Sequence, residues 1–211
     1  MSEPLKLGVP RGALFEETLD LLDRAGIDSS PLRSDSRSLL FPGEEVTLVT
    51  LRPSDVPTYV EAGAVDLGIT GKDVLMEQYE RVVYELVDLQ YGRCTMVVAA
   101  RGGNRLADDM ERRLGAIRIA TKYPRVAARH FEESGRQAEV IEVKGSVELA
   151  PIAGLADGIV DLTATGRTLR ENDLEVREVI GECTARLVAN RVAHKLRQTE
   201  IDELMERIGA R

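Results

Sequence analysis

Apolar residues fall in short alternating runs along the chain, and between these runs they recur at helical spacing. This succession predicts an α/β protein. Leu5 to Val9 reads as a strand, followed by the turn Pro10-Arg11-Gly12. The helix after it places Leu14, Thr18, Leu21, Leu22 and Ala25 on one face and stops at Gly26. Val46 to Leu51 reads as a second strand, after which Ser54 is expected to cap a short helix ending near Gly63. Further strands are expected from Val65 to Thr70, in one or two long segments between Val82 and Ala100, and from Ile117 to Thr121. Pro124 opens a helix that Gly135 closes. Val140 to Val143, Ile159 to Thr163, Val176 to Ile180 and Thr184 to Ala189 complete the strands. Thr199 is expected to cap a last helix bearing Ile201, Leu204, Met205 and Ile208, and residues 28–44 read as a loop or irregular hairpin.

The pattern also repeats. Residues 63–71 read Gly-Ala-Val-Asp-Leu-Gly-Ile-Thr-Gly and residues 158–166 read Gly-Ile-Val-Asp-Leu-Thr-Ala-Thr-Gly, identical at six of nine positions at an offset of 95. Each copy follows a short helical stretch with a proline and an Ala-Gly pair. Two similar α/β lobes explain that spacing better than a solenoid, which needs several short repeats. Chance likeness of two strand-turn-helix units is the alternative. Two such lobes would face each other across a cleft, the usual place for a small-molecule site.

Composition narrows the function. The chain has 211 residues, 43% hydrophobic and 30% charged, which excludes a disordered or collagen-like chain. A net charge of −8 argues against duplex nucleic acid as the main partner. The sequence carries neither the basic nor the apolar segment of a signal peptide, and its apolar runs are too short to span a bilayer. Cys94 and Cys183 are the only cysteines; without CxxC spacing they point to a reducing compartment, the cytoplasm, and to no structural zinc. His130 and His194 are the only histidines, which argues against a Ser-His-Asp or Cys-His nucleophile. His130, in an amphipathic helix, reads as structural or solvated.

The second copy continues into a helix as Asp161-Leu162-Thr163-Ala164-Thr165-Gly166-Arg167-Thr168-Leu169. A small-residue turn at a helix N-terminus offers free N–H groups and hydroxyls to a phosphate, and Arg167 adds a charge that can fork onto phosphate oxygens. An ordinary capped turn fits the same string. Asp161 and Glu148 are placed to accept hydrogen bonds from ribose hydroxyls. The first copy, Asp66 to Gly71, reads as the same turn leading into Lys72-Asp73. Arg11, Arg33, Arg52 and Arg93 are cations near loops or strand ends, for which a solvated surface position is the default.

Gly145-Ser-Val-Glu-Leu-Ala-Pro151, Gly154-Leu-Ala-Asp157 and the 161–169 string together resemble the signature of the ATP phosphoribosyltransferase family. The N-terminal Pro-Arg-Gly turn, Arg52-Pro-Ser-Asp-Val-Pro57, Val65-Asp-Leu-Gly-Ile-Thr-Gly71 and Ile119-Ala-Thr-Lys-Tyr-Pro124 extend the resemblance over nearly the whole chain. Nucleobase phosphoribosyltransferases share a shorter string but carry two adjacent acids, whereas Val160 precedes Asp161 here. A ligand-binding or sensor module is the rival of another class; the complete phosphate-turn signature favours the enzyme.

The resemblance implies a two-lobed, periplasmic-binding-protein-like α/β fold with the active-site cleft between lobes. Residues 1–92 plus 180–211 would form the ATP lobe and 93–179 the phosphoribosyl pyrophosphate lobe. The implied reaction moves the phosphoribosyl group of phosphoribosyl pyrophosphate to N1 of ATP and releases pyrophosphate, the first step of histidine biosynthesis. Thr163, Ala164, Thr165, Gly166, Arg167 and Thr168 would hold the 5-phosphate. Asp161 and Glu148 would hold the ribose hydroxyls and favour the cationic transition state. Arg11, Gly12, Arg52, Thr70, Gly71, Arg93 and Lys122 would meet ATP or pyrophosphate. Mg²⁺ would bind mainly through the substrate's pyrophosphate and water rather than through protein ligands. The chain length matches the family's short form, which implies a homodimer within a hetero-oligomer with a regulatory subunit related to histidyl-tRNA synthetase.

Overall fold

The computed structural model describes residues 3–34, 38–102 and 116–209. The chain divides into two units, Met1–Gly92 with Thr184–Arg211, and Arg93–Cys183. The first unit contains β1 (Leu5–Pro10), α1 (Phe15–Arg24), α2 (Ser30–Arg33), β2 (Leu40–Phe41), β3 (Val46–Leu51), α3 (Val56–Glu61), β4 (Leu67–Gly71), α4 (Lys72–Glu77) and β5 (Tyr84–Asp88). The second contains β6 (Cys94–Arg101), β7 (Ile117–Thr121), α5 (Pro124–Glu133), β8 (Ala138–Glu142), α6 (Leu149–Ile152), β9 (Gly158–Thr163), α7 (Arg167–Glu171) and β10 (Leu174–Cys183). The chain then returns to the first unit as β11 (Ala185–Ala189), α8 (Arg191–Leu196) and α9 (Gln198–Arg207). Sequence reading places this return at about 180; β10 keeps pairing with β6 as far as Cys183↔Cys94, so it falls after 183.

Both sheets are built on one plan. Strand order is β2-β3-β1-β4-β11-β5 in the first unit and β10-β6-β9-β7-β8 in the second. In the first, β1 lies between parallel β3 and β4, and β4 pairs antiparallel with β11. In the second, β7 lies between parallel β8 and β9, and β9 pairs antiparallel with β6. The parallel neighbours need a helical crossover, whereas β11 and β6, each the first strand after the chain changes unit, enter without one and run the other way.

The register of the repeat differs from the one the sequence suggests. Asp66 and Lys6 exchange two bonds: the Asp66 N–H donates to the Lys6 carbonyl at 2.9 Å, and the Lys6 N–H to Asp66 Oδ2 at 2.8 Å. Asp157 and Arg118 do the same, at 2.8 Å and 2.9 Å. The preceding helices end at Gly63 (φ 71°) and Gly154 (φ 73°), a left-handed position that favours glycine. The structural partner of Asp66 is therefore Asp157, four residues before the Asp161 that sequence identity pairs with it. The lobes are alike, but the two strings are not in equivalent places.

Strands β1 and β3 are buried on both faces, as parallel strands covered by helices are. The first core gathers Leu7, Val9, Leu19, Leu22, Leu67, Ile69, Leu187 and Ile201. Met205 and Ile208 of the last helix pack against it, so that helix spends its apolar face on the core. The second core gathers Val97, Ala99, Ala120, Val147, Ile159 and Leu169. Two expected caps differ. Asp55, not Ser54, precedes α3, and the Ser54 hydroxyl donates to the Asp55 carboxylate. Thr199 lies inside α9, because Arg197 breaks the path between α8 and α9. Its guanidinium is drawn away to the carbonyls of Glu3 and Pro4 and to Asp66 and Glu200. The stretch from 28 to 44 holds α2 and β2. Arg33 pairs with Glu16, Asp20 and Asp23 on the surface.

His130 is structural. Its Nε2 lies 2.9 Å from Glu178 Oε2, and Arg136 forks onto the same carboxylate through Nη1 at 2.5 Å and Nη2 at 2.7 Å. The Arg136 fork, chiefly, holds the Glu178 carboxyl below its ordinary range against the cost of burial, and His130 adds to it. A carboxylate of lowered pKa stabilises the fold above its unfolded value near 4.3 and loses that contribution as pH falls through the folded value. Solvent screens the half-exposed pair, so Glu178→Gln should cost about 1 kcal/mol at pH 7 and close to nothing in strong acid. Thermal melts of both proteins at a series of pH values test this; a constant difference across the acid range would contradict it.

Candidate active site

In the second unit the candidate groups gather at the carboxyl ends of the strands, where ligands bind in open α/β sheets. Lys122 follows β7 and is exposed; Glu148 is the residue before α6 and half-buried; Asp161 is half-buried near the end of β9. Burial chiefly raises the pKa of the Asp161 carboxyl. The Leu162 N–H, 2.8 Å from Asp161 Oδ1, and the Lys122 charge oppose that rise, while the Glu148 charge adds to it. The Lys122 and Glu148 charges thus both act on this carboxyl from neighbouring strand ends. Two acids and a lysine at one sheet end suit a polyhydroxyl ligand on which positive charge develops.

Beyond Asp161 the chain makes the turn that the first unit lacks. From Asp66 the next helix, α4, begins at Lys72; from Asp157 the equivalent helix, α7, begins only at Arg167, four residues later. Residues 163–166 fill that extension, so the expectation that the first copy makes the same turn is corrected. Gly71 closes β4 and leads straight into α4. In the longer turn the Gly166 N–H donates to Thr163 Oγ1 at 2.9 Å and the Arg167 N–H to Thr165 Oγ1 at 3.4 Å. Gly166 sits at φ 69°, ψ 7°, the left-handed conformation that turns the chain into α7. Thr168 and Leu169 lie in the first turn of α7, where helix geometry leaves N–H groups without a helical acceptor. Ala164, Thr165, Arg167 and Thr168 are exposed. The Arg167 Nε donates to Glu171 Oε1 at 2.7 Å, which leaves the two terminal nitrogens of its fork for another anion.

Sequence reading missed one cation here. The Arg170 Nη1 lies 3.1 Å from where a Cβ on Gly166 would stand, so this guanidinium covers the turn. Its spacing offered the signal: residues three and four apart share a helix face, and Arg170 follows Arg167 by three.

The first unit presents its own set at the ends of β1, β3 and β4. Arg11 is half-buried, its guanidinium 4.6 Å from the centre of the Phe15 ring and its N–H bonded to the Leu51 carbonyl at 2.8 Å. Gly12 has φ 92° and open space on its Cβ side. Arg52 is exposed. Thr70 is fully buried and its hydroxyl donates to the Pro53 carbonyl at 2.8 Å. The side chain fixes the loop that carries Arg52. Gly71 is buried, and the Asp73 carboxylate occupies the side where a Cβ would stand. Arg93 is exposed beside the point where the chain passes into the second unit. Among the described residues no three His, Cys, Asp or Glu side chains gather as a metal site. No helix of the described residues is long and apolar enough to cross a membrane.

Comparison with known proteins identifies the family. The family described as HisG: ATP phosphoribosyltransferase matches residues 52–210. The ATP phosphoribosyltransferase of Rubrobacter xylanophilus is 53% identical over 208 residues, covering 97% of this chain and 95% of the relative. Among solved structures, the ATP phosphoribosyl transferase (HisG:HisZ) complex from Thermotoga maritima matches with TM-score 0.84 and 37% identity, covering 97% of this chain and 96% of that one. The alkanesulfonate-binding protein SsuA from Xanthomonas axonopodis pv. citri bound to MOPS matches with TM-score 0.59 at 13% identity, over 99% of this chain and 73% of that one. That second likeness shows the fold alone, an α/β binding-protein fold. The chain belongs to the ATP phosphoribosyltransferase family, pentosyltransferases that use a divalent metal to join the phosphoribosyl group to ATP in the first step of histidine biosynthesis.

Proposed function

We propose that the second unit holds phosphoribosyl pyrophosphate and that the first unit supplies cations to ATP and pyrophosphate. The observation that supports this reading is the four-residue extension at 163–166, which makes the strand-to-helix turn of the second unit longer than its counterpart in the first. Thr163 and Ala164 form the entry of the turn, and Thr165, Gly166, Arg167 and Thr168 grip the 5-phosphate with amides, hydroxyls and a guanidinium. Asp161 and Glu148 accept hydrogen bonds from the ribose hydroxyls. As the bond from C1 of the ribose to pyrophosphate breaks, positive charge grows on the ring and these two carboxylates stabilise it. N1 of the adenine attacks C1 from the opposite face and forms the new bond. No side chain has to act as a nucleophile, so catalysis is positioning and electrostatics. Arg11, Gly12, Arg52 and Gly71 of the first unit, with Arg93 and Lys122, meet the triphosphate or the leaving pyrophosphate.

The metal we assign is Mg²⁺, which keeps water and takes oxygen ligands from substrate phosphates. Asp161 and Glu148 are the hard oxygen donors this chain could offer it, directly or through water. We place the reaction in the cytoplasm, the reducing compartment to which two cysteines without CxxC spacing point. The relatives matched over 95–97% of their length have the dimensions of this chain, which supports the short form and assembly as a homodimer with a separate regulatory subunit. The Thermotoga complex supports the same reading.

Arg167→Ala separates the two substrates. It should raise KM for phosphoribosyl pyrophosphate at least about tenfold, close to 1.4 kcal/mol, with KM for ATP nearly unchanged. The assay follows N1-phosphoribosyl-ATP, with and without the regulatory subunit. An equal rise in both KM values would contradict the assignment.

A further inference from the structure

The two cysteines of this chain stand directly opposite each other. Cys94 opens β6, Cys183 closes β10, and the antiparallel ladder ends on the pair Cys183↔Cys94. They are separated by most of the second unit in sequence, and the transferase chemistry uses neither. Facing residues of an antiparallel pair have Cα atoms about 4.5 or 5.5 Å apart, and both values lie within the roughly 4.4–6.8 Å that a disulfide spans. The structure has the two thiols unbridged, Cys94 half-buried and Cys183 buried.

The backbone on each side is fixed. Gly92, two residues before Cys94, is at φ 63° with Leu14 packed where its Cβ would be. Thr184, directly after Cys183, donates its hydroxyl to Asp88 at 2.7 Å, and its carbonyl accepts the Lys72 N–H at 2.9 Å. The pair therefore sits at the two points where the chain passes between units, in a register that neither end can readily shift.

We propose that Cys94 and Cys183 form a reversible disulfide when the protein meets a peroxide. The more exposed sulfur reacts first. The Cys94 thiolate takes one oxygen from hydrogen peroxide, giving a sulfenic acid as the O–O bond breaks and hydroxide leaves. The Cys183 sulfur then attacks the Cys94 sulfur; the S–S bond forms, the S–O bond breaks, and water leaves with the Cys183 proton. Two thiols are oxidised and one peroxide is reduced. A dithiol reductant reverses the bond by exchange. The bridge ties the ends of the two connecting strands, and its burial on the Cys183 side keeps the pair from further oxidation.

The test exposes the reduced full-length protein to hydrogen peroxide and measures thiol content, intact mass and linked peptides. The expected result is loss of both thiols, a mass lower by two hydrogen atoms, and one linked peptide pair containing 94 and 183. The thermal midpoint should rise, and dithiothreitol should restore the starting values. Cys94→Ser should show no link and no rise, whereas Cys183→Ser should gain oxygen on Cys94 instead. Oxygen gained separately on both cysteines of the native protein, retention of both thiols, or links only between different molecules would each overturn the proposal.

Discussion

Replacing Asp161 by asparagine is expected to cut turnover at least about tenfold, or 1.4 kcal/mol on the activation scale, and to leave the unliganded protein as stable or more stable at pH 7. The two effects have one cause. Burial raises the pKa of this carboxyl, with the Glu148 charge adding to the rise and the Leu162 N–H and Lys122 opposing it. An acid whose pKa is raised on folding penalises the fold once it ionises: the penalty is absent below the unfolded pKa and complete above the folded one. Asparagine keeps the shape without the charge, so the penalty disappears. The same charge is what the cationic transition state needs, and its loss removes stabilisation made at that point of the reaction. Steady-state kinetics and thermal melts on one preparation check both halves. A variant that is slow because it is unstable would contradict this reading, and so would one that is stable and fast.

The largest effect on stability is expected at Asn190. Its amide is used in full at the junction of two helices of the first unit. Oδ1 accepts the Val192 and Ala193 N–H groups, both at 2.9 Å, and so caps α8. Nδ2 donates to the Val60 carbonyl at 2.8 Å and the Glu61 carbonyl at 3.2 Å, at the end of α3. Asn190 is only 9% exposed, so water cannot replace all four partners. Asn190→Ala loses the cap, worth about 1 kcal/mol, and the two bonds to the Val60 and Glu61 carbonyls, at about 1 kcal/mol each. The sum, near 3 kcal/mol, lowers the thermal midpoint by about 6–12 °C for a chain of this size. Asn190→Ser keeps an acceptor for the cap and should recover about a third of the loss. A serine variant no better than alanine would show that the cap contributes little.

The alternation of strands and helices was legible because β1, β3, β7 and β9 are short apolar runs and because Gly26, Gly63 and Gly135 mark helix ends. The small residues of the turn into α7, with Gly166 and Arg167, were legible too, since they are contiguous. What escaped the sequence was non-local. The identical strings pair Asp66 with Asp161, but the bonds that define equivalent places run from Asp66 to Lys6 and from Asp157 to Arg118, across 60 and 39 residues. The bond from the Thr70 hydroxyl to the Pro53 carbonyl spans 17 residues and is likewise absent from the string. Arg197 ends α8 through partners at Glu3, Pro4 and Asp66, which local propensity does not contain. In the register of the bonds the two units carry different turns, a plain one before α4 and an extended one before α7.

A net charge of −8 on a chain that handles two polyanions requires cations to be concentrated at the strand ends, against the overall field. Arg11, Arg52, Lys122, Arg167 and Arg170 all lie at such ends or on the helix that follows, whereas Arg33 and Arg136 are spent on structural ion pairs. The central claim is that the extended turn of the second unit, not the Pro10-Arg11-Gly12 turn of the first, receives the sugar phosphate. A crystal structure with phosphoribosyl pyrophosphate and Mg²⁺ tests it most directly. The 5-phosphate should lie against the N–H groups of residues 165–168, with the ribose hydroxyls on Asp161 and Glu148; a 5-phosphate seated at Arg11 and Gly12 would contradict the account.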